Sequence, residues 1–188
     1  MPAGALIAGG HARRLGGIAK GLVQLADGST PYGRAVAALR GCADPVVLVG
    51  RADNPYAQLG LRVVPDALAD RGPPGGVYTA LLQAREAGMQ WVAVLPCDLP
   101  GTTPALLHDL LPHRTGDGTI WQADGRRQPL VGWWHVQAIP VFEQLLGAGR
   151  PGFRQICAAL NVLEVPAPDA SAFFNLNTPN DLSQLGAR

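Results

Sequence analysis

The chain has a single lysine. Of its 15 basic residues in 188, Lys20 is the one ammonium and the other 14 are arginines. Serine is nearly as scarce: Ser29, Ser171 and Ser183 are the only three, and none sits in a G-x-S-x-G elbow, so a serine hydrolase is not indicated. The histidines (His11, His108, His113 and His135) lack an H-E-x-x-H spacing. Three cysteines, Cys42, Cys97 and Cys157, are odd in number and widely separated, with no C-x-x-C, which argues against a disulfide scaffold and a zinc site. Long apolar runs are missing too. Val46–Val49 and Trp91–Leu95 are far too short to span a bilayer, and Met1-Pro2-Ala3-Gly4 carries no basic leader, so cytoplasmic residence is expected. A net charge of +1 supplies no bulk attraction to nucleic acid or to a membrane.

What is present is a globular composition, 47% apolar and 15% charged, in a length that suits one domain over residues 1–188. Continuous apolar runs read as buried strands at Ala5–Ala8, Val46–Val49 and Trp91–Leu95, and Leu61–Pro65 and Val162–Val165 read as further short strands. Between them lie helical stretches. One runs from Pro31 to about Arg40 behind a Ser29 or Thr30 cap, and others span Val77–Ala87, Pro104–Leu111, Val136–Leu146 and Phe153–Leu160. A last helix follows Thr178-Pro179. Leu22–Leu25 reads as a short edge strand, and Gly72–Gly76 as a second Gly/Pro loop. Asp124-Gly125 between two apolar stretches signals a hairpin. Alternating strands and helices imply a Rossmann-like three-layer α/β/α sandwich, with a mostly parallel sheet and an antiparallel edge hairpin. Ligands of such sheets gather at the carboxyl ends of the strands.

Two strand ends carry chemistry. The first empties into Ile7-Ala8-Gly9-Gly10-His11-Ala12-Arg13-Arg14-Leu15-Gly16-Gly17-Ile18-Ala19-Lys20-Gly21-Leu22. Its glycines let backbone N–H groups approach an anion, and a nest of such groups binds phosphate. Lys20 adds a compact charge suited to one phosphate oxygen. The run matches neither the P-loop G-x-x-x-x-G-K-S/T nor the dinucleotide G-x-G-x-x-G. The other strand end delivers Pro96-Cys97-Asp98-Leu99-Pro100. Prolines on both sides stiffen the segment, and a single rigid carboxylate suits Mg²⁺ completed by waters and phosphates. The alternative for Asp98 is a cap on the following helix. Asp66 ends another strand, where a turn-forming role competes with a ligand role. Asn175 and Asn177 point the same way if the segment is extended, and a local Asx-turn is the alternative. Cys97 reads as a small buried residue, and Trp121, Trp133 and Trp134 as packing.

The first loop resembles the signature of the nucleotidyltransferase superfamily, and most of all that of the molybdenum cofactor guanylyltransferases, L-A-G-G-x-x-x-R-M-G-G-x-D-K-G-L. Leu15 stands for the usual Met and Ala19 for the acid before the lysine. The family's P-C-D-x-P recurs at residues 96–100, its F-x-N-x-N-T-P near the C-terminus is similar to the stretch Phe174-Asn175-Leu176-Asn177-Thr178-Pro179, and its D-G-x-x-x-P-L recurs at Asp124–Leu130. Asp66, Asp70, Gly72, Pro73 and Gly75 or Gly76 follow a family stretch whose first Asp lies near guanine or ribose. The resemblance implies a nucleotide site of Ile7, Ala8, Gly9, Gly10, Lys20, Asp66, Gly75 and Asp98. Arg14, Lys20 and Asp98 would be the catalytic residues, with Asp98 on Mg²⁺ and Asn175 and Asn177 on the molybdopterin side. It implies transfer of GMP from GTP to the phosphate of molybdenum-molybdopterin, with pyrophosphate leaving. It leaves room for transient contact with other molybdenum cofactor proteins. Val49-Gly50 stands where many of these enzymes carry an Asn implicated in guanine contact, which keeps a cytidylyltransferase, or one acting on a sugar phosphate, as an alternative. Ala19 keeps open a nucleotide-binding paralogue with little turnover.

Overall fold

A computed structural model describes residues 1–8, 14–15 and 18–174. In chain order the elements are β1 (Ala3–Ile7), β2 (Arg14–Leu15), β3 (Ile18–Ala19), α1 (Pro31–Arg40), β4 (Val46–Val49), β5 (Arg62–Val64), α2 (Gly72–Glu86) and β6 (Trp91–Pro96). Then follow α3 (Ala105–His108), β7 (Gly118–Ala123), β8 (Arg126–His135), α4 (Ile139–Ala148), α5 (Phe153–Ala158) and β9 (Val162–Pro166). Seven strands form one sheet in the order β5-β4-β1-β6-β8-β7-β9, while β2 and β3 make a separate two-stranded ribbon. Within that sheet β8 alone runs against the others, pairing antiparallel with β6 on one side and β7 on the other. The expected hairpin is therefore present, its turn made by Asp124 and Gly125 at φ 48° and 69°. β9 adds one further parallel strand outside it.

Why the strands read as unbroken apolar runs is visible in the two cores. Leu6, Leu48, Ala93, Leu95 and Trp133 face one layer, against Ala35 and Leu39 of α1 and Leu106 and Leu107 of α3. Their neighbours in the chain, Ala5, Ile7, Val47, Val49, Val92, Val94 and Trp134, face the other, against α2, α4 and α5. Period-two alternation with both faces covered leaves no polar side, so only apolar residues fit.

Several boundaries moved, each for a local reason. The Gly72–Gly76 stretch is not a loop but the first turn of α2, where Pro73 and Pro74 sit at positions that need no backbone donor. Leu22–Leu25 is not a strand. A 3-10 turn covers Lys20–Leu22, and Leu25 N–H donates to Ser29 O across a tight turn. The Asp27 carboxylate holds that turn, accepting from Ser29 N and Oγ and from Arg34. α3 stops after four residues because the carbonyls of Leu106 and Leu107 accept the indole N–H groups of Trp121 and Trp133, at 2.7 and 2.9 Å. Thr30 is the cap of α1, its hydroxyl accepting from Gly33 N at 3.1 Å. The helix expected after Thr178 lies outside the described residues.

The Arg114 guanidinium lies between the Trp91 and Trp133 rings, 5.5 and 5.1 Å from their centroids. Such stacked cations contribute about 1 kcal/mol, rising toward ~2 when desolvated. Arg114→Ala is expected to lower unfolding free energy by about that amount, read as a shift in urea midpoint at constant slope. An unchanged midpoint would show the stack to be neutral. By contrast the Asp27–Arg34 ion pair, at 2.7 Å but with both side chains partly exposed, belongs to a class worth about 0–1 kcal/mol.

Candidate functional site

β1 is the pivot of the sheet. Its neighbours are β4 on one side and β6 on the other, so the strand order reverses there. Register levels the ends: Ile7 pairs with both Val49 and Pro96, and Val49 with Val64. The residues leaving these four ends, Ala8, Gly50, Asp66 and Cys97-Asp98, therefore face one edge, which is where doubly wound sheets take their ligands.

Ala8 is buried and its N–H donates to Val49 O at 2.8 Å, which fixes the direction in which the chain departs toward Gly9 and Gly10. Those two glycines lie outside the described residues, as does the Arg14 side chain. The Arg14 backbone pairs with Ala19, which folds the loop back on itself and returns the chain to Lys20. Lys20 is only 6% exposed, so its charge is held close to protein groups. Among these is Asp98. Burial pushes the Asp98 carboxyl above the ordinary Asp range, and the positive charge of Lys20 opposes that shift. Two opposite charges far apart in sequence thus meet at one edge of the sheet. The capping alternative for Asp98 fails, since α3 begins at Ala105 behind Pro104 with no side-chain cap.

Asp66 sits at the end of β5 with Oδ1 buried and lacking a hydrogen-bond partner, and burial raises its pKa. Oδ1 lies 3.9 Å from where a Cβ on Gly76 would stand, so Asp66 borders the first turn of α2. Gly76 packs on Ile7, whose Cγ2 would be 2.9 Å from an added Cβ, and Gly75 packs on Arg71. The small residues of this turn let α2 lie against the end of β1. An orphaned buried acceptor beside a helix N-terminus is a polar group prepared for a donor.

The Cys97 thiol is buried and its pKa is pushed up to about 12, mainly by burial, so it is a neutral thiol and no nucleophile. The three indoles singled out in the sequence, Trp121, Trp133 and Trp134, are buried packing, as expected. Asn175 and Asn177 lie outside the described residues, though Phe174, next to them in the chain, lines a cavity of about 770 Å³ with Pro100, Gly101, Arg34 and Trp121. The Asp124–Leu130 tip is less basic than it reads, since Arg127 is paired to Glu164 at 2.6 Å. Sequence reasoning missed Tyr56. It lies in a polar stretch, Arg51–Gln58, with no motif around it, yet it is buried at the back of Lys20 and Cys97.

Fold and site together define a doubly wound α/β protein with a charged ligand edge at its switch point. A family model for the MobA-like NTP transferase domain matches residues 4–164. The chain belongs to that family and is a nucleotidyltransferase. It is 33% identical over 187 residues to a probable molybdenum cofactor guanylyltransferase of Opitutus terrae, covering 95% of this chain and 92% of that one. Against a molybdenum cofactor guanylyltransferase of Cereibacter sphaeroides the identity is 32%, over 96% of this chain and 93% of the other. The crystal structure of molybdopterin-guanine dinucleotide biosynthesis protein A from Archaeoglobus fulgidus has the same fold. Its TM-score is 0.70 at 22% identity, covering 97% of this chain and 96% of that one. Among the described residues no helix is long and apolar enough to cross a membrane.

Proposed function

We propose that the chain transfers GMP from GTP to the terminal phosphate of molybdenum-molybdopterin, releasing pyrophosphate and forming the guanine dinucleotide cofactor. The observation that carries this is the pairing of a buried Lys20 with Asp98 at the switch point, in a chain whose near full-length relatives are named for that reaction. Lys20, Arg14 and the amides of Gly9 and Gly10 would hold the triphosphate. Asp66 would receive a donor from the ribose or base, which its orphaned Oδ1 suits. Asn175 and Asn177 would meet the acceptor, and the cavity reached from Phe174 supports an acceptor side there. A phosphate nucleophile is already ionised, so the protein needs no general base and its task is alignment and charge neutralisation.

Asp98 fits Mg²⁺ by the chemistry of its donor. Among the described residues no cluster of three His, Cys, Asp or Glu surrounds it, which matches an ion shared with substrate phosphates rather than caged by protein. When bound, the ion would polarise the α-phosphate and offset charge on the leaving pyrophosphate. The rest of the alignment is the chain's own.

Gly50 favours one alternative. It ends β4 without an amide side chain, and a Cβ there would lie 3.0 Å from Ala8 O, so base choice is left to other groups. Calorimetric titration of GTP, CTP, ATP and UTP with Mg²⁺, followed by product analysis with the molybdopterin acceptor, decides. GTP is expected to bind at micromolar Kd, about −8 kcal/mol. A preference for CTP would move the reading to a cytidylyltransferase, and no nucleotide bound would leave a paralogue that does not turn over.

A further inference from the structure

Lys20 and Asp98 come from separate parts of the chain, and neither the loop before Lys20 nor the strand before Asp98 fixes their spacing by itself. The contact between them runs through Gly21 and Cys97. A side chain on Gly21 would collide with the Cys97 carbonyl and would stand 2.9 Å from the Tyr56 ring and hydroxyl, so the two backbones and the phenol meet with no room to spare. Gly21 N–H donates to the Tyr56 hydroxyl at 3.2 Å in a buried setting. Gly21 is thus held between the Cys97 carbonyl on one side and the Tyr56 hydroxyl on the other. Tyr56 is itself 3% exposed and stacked on Tyr32 of α1, ring centroids 5.3 Å apart and planes within 4°. Its ring is thus fixed by α1 while its oxygen holds the residue after Lys20 against the residue before Asp98.

We propose that Tyr56 is a positioning residue for nucleotidyl transfer: its phenol oxygen clamps the Lys20 turn to the end of β6, holding Lys20 and Asp98 at one spacing for the triphosphate. This rests on the nucleotide-binding reading above. Tyr56 touches no substrate and acts through Lys20.

Tyr56→Phe keeps the ring, its volume and its stack and removes only the oxygen. The test is the dissociation constant of Mg-GTP by competition against a fluorescent GTP analogue. It is run on the parent chain, Tyr56→Phe, Lys20→Ala and the double variant, with melting temperatures alongside. In the parent background Tyr56→Phe is expected to weaken binding about tenfold, the worth of roughly one buried hydrogen bond. In the Lys20→Ala background it is expected to add nothing, because the group it positions is gone. A merely structural tyrosine would weaken binding by the same factor in both backgrounds, and that result overturns the proposal. So does unchanged binding in the parent background. Failure of the parent chain to bind any nucleoside triphosphate is a separate result, and it sinks the nucleotide-binding reading along with this one.

Discussion

Asp98→Asn is expected to lower the rate of nucleotidyl transfer by about a thousandfold and to leave the melting temperature unchanged or higher. The size follows from the role: removing one preorganised charge at a phosphoryl-transfer centre costs on the order of 10²–10³ in rate. The stability follows from burial. Asp98 has a folded-state pKa above the ordinary Asp value because burial disfavours its charge, with Lys20 opposing only in part. A raised carboxyl pKa means that the associated stability is fully present below about pH 4 and is lost as pH climbs through the folded value. At neutral pH the ionised group is therefore a cost to the fold, and asparagine, equal in shape and neutral, removes it. Single-turnover rates and scanning calorimetry on the same samples give both numbers. Activity within a few fold of the parent would remove Asp98 from the site, and a large fall in melting temperature would mean that its charge is structural.

Lys20→Ala is expected to have the next largest effect, about a hundredfold in kcat/KM, the low end of the same electrostatic range. It also carries a signature that simple loss of a phosphate contact lacks. The charge of Lys20 holds the Asp98 carboxyl down against burial. Without it the Asp98 pKa climbs further, so the acid limb of the pH–rate profile moves to higher pH in Lys20→Ala. Lys20→Arg is expected not to rescue the rate. The site leaves Lys20 only 6% exposed beside a glycine that has no room for a single carbon. A planar guanidinium is wider and donates along a fixed fork. An acid limb that stays in place would show that the two charges do not sense each other in the working enzyme.

The order of strands and helices was legible because both sheet faces are covered and apolar runs have few other uses. Val46–Val49 and Trp91–Pro96 could hardly be anything but buried parallel strands. The start of α2 was not legible. Gly72-Pro73-Pro74-Gly75-Gly76 has the composition of a loop, and it is helical because Ile7 and Arg71 pack where side chains would otherwise stand. Leu22–Leu25 misled for the opposite reason: an apolar alternation was overridden by the Asp27 turn. At the candidate site, Lys20 drew notice as the one lysine, beside a glycine-rich loop, and Asp98 as a carboxylate held between Pro96 and Pro100 at a strand end; the structure brings both to one edge of the sheet. Tyr56 gave no such signal. Its proposed role depends on a hydroxyl that holds Gly21, 35 residues away in sequence, against Cys97, 41 residues away, and no periodicity or spacing encodes that.

The central place of β1 has a consequence in time. All five of its residues, Ala3–Ile7, are buried. One partner strand begins at Val46 and the other only at Trp91, so β1 has a bare flank until both have been synthesised. Pairings between strands so far apart in sequence form late and slowly. A nascent chain that has passed β1 but not yet β6 therefore carries an unsatisfied apolar strand. It also lacks Asp98 at that stage. A nucleotide bound at the switch point, as proposed above, would protect the finished fold from unfolding, but it could not escort the chain before β6 has emerged.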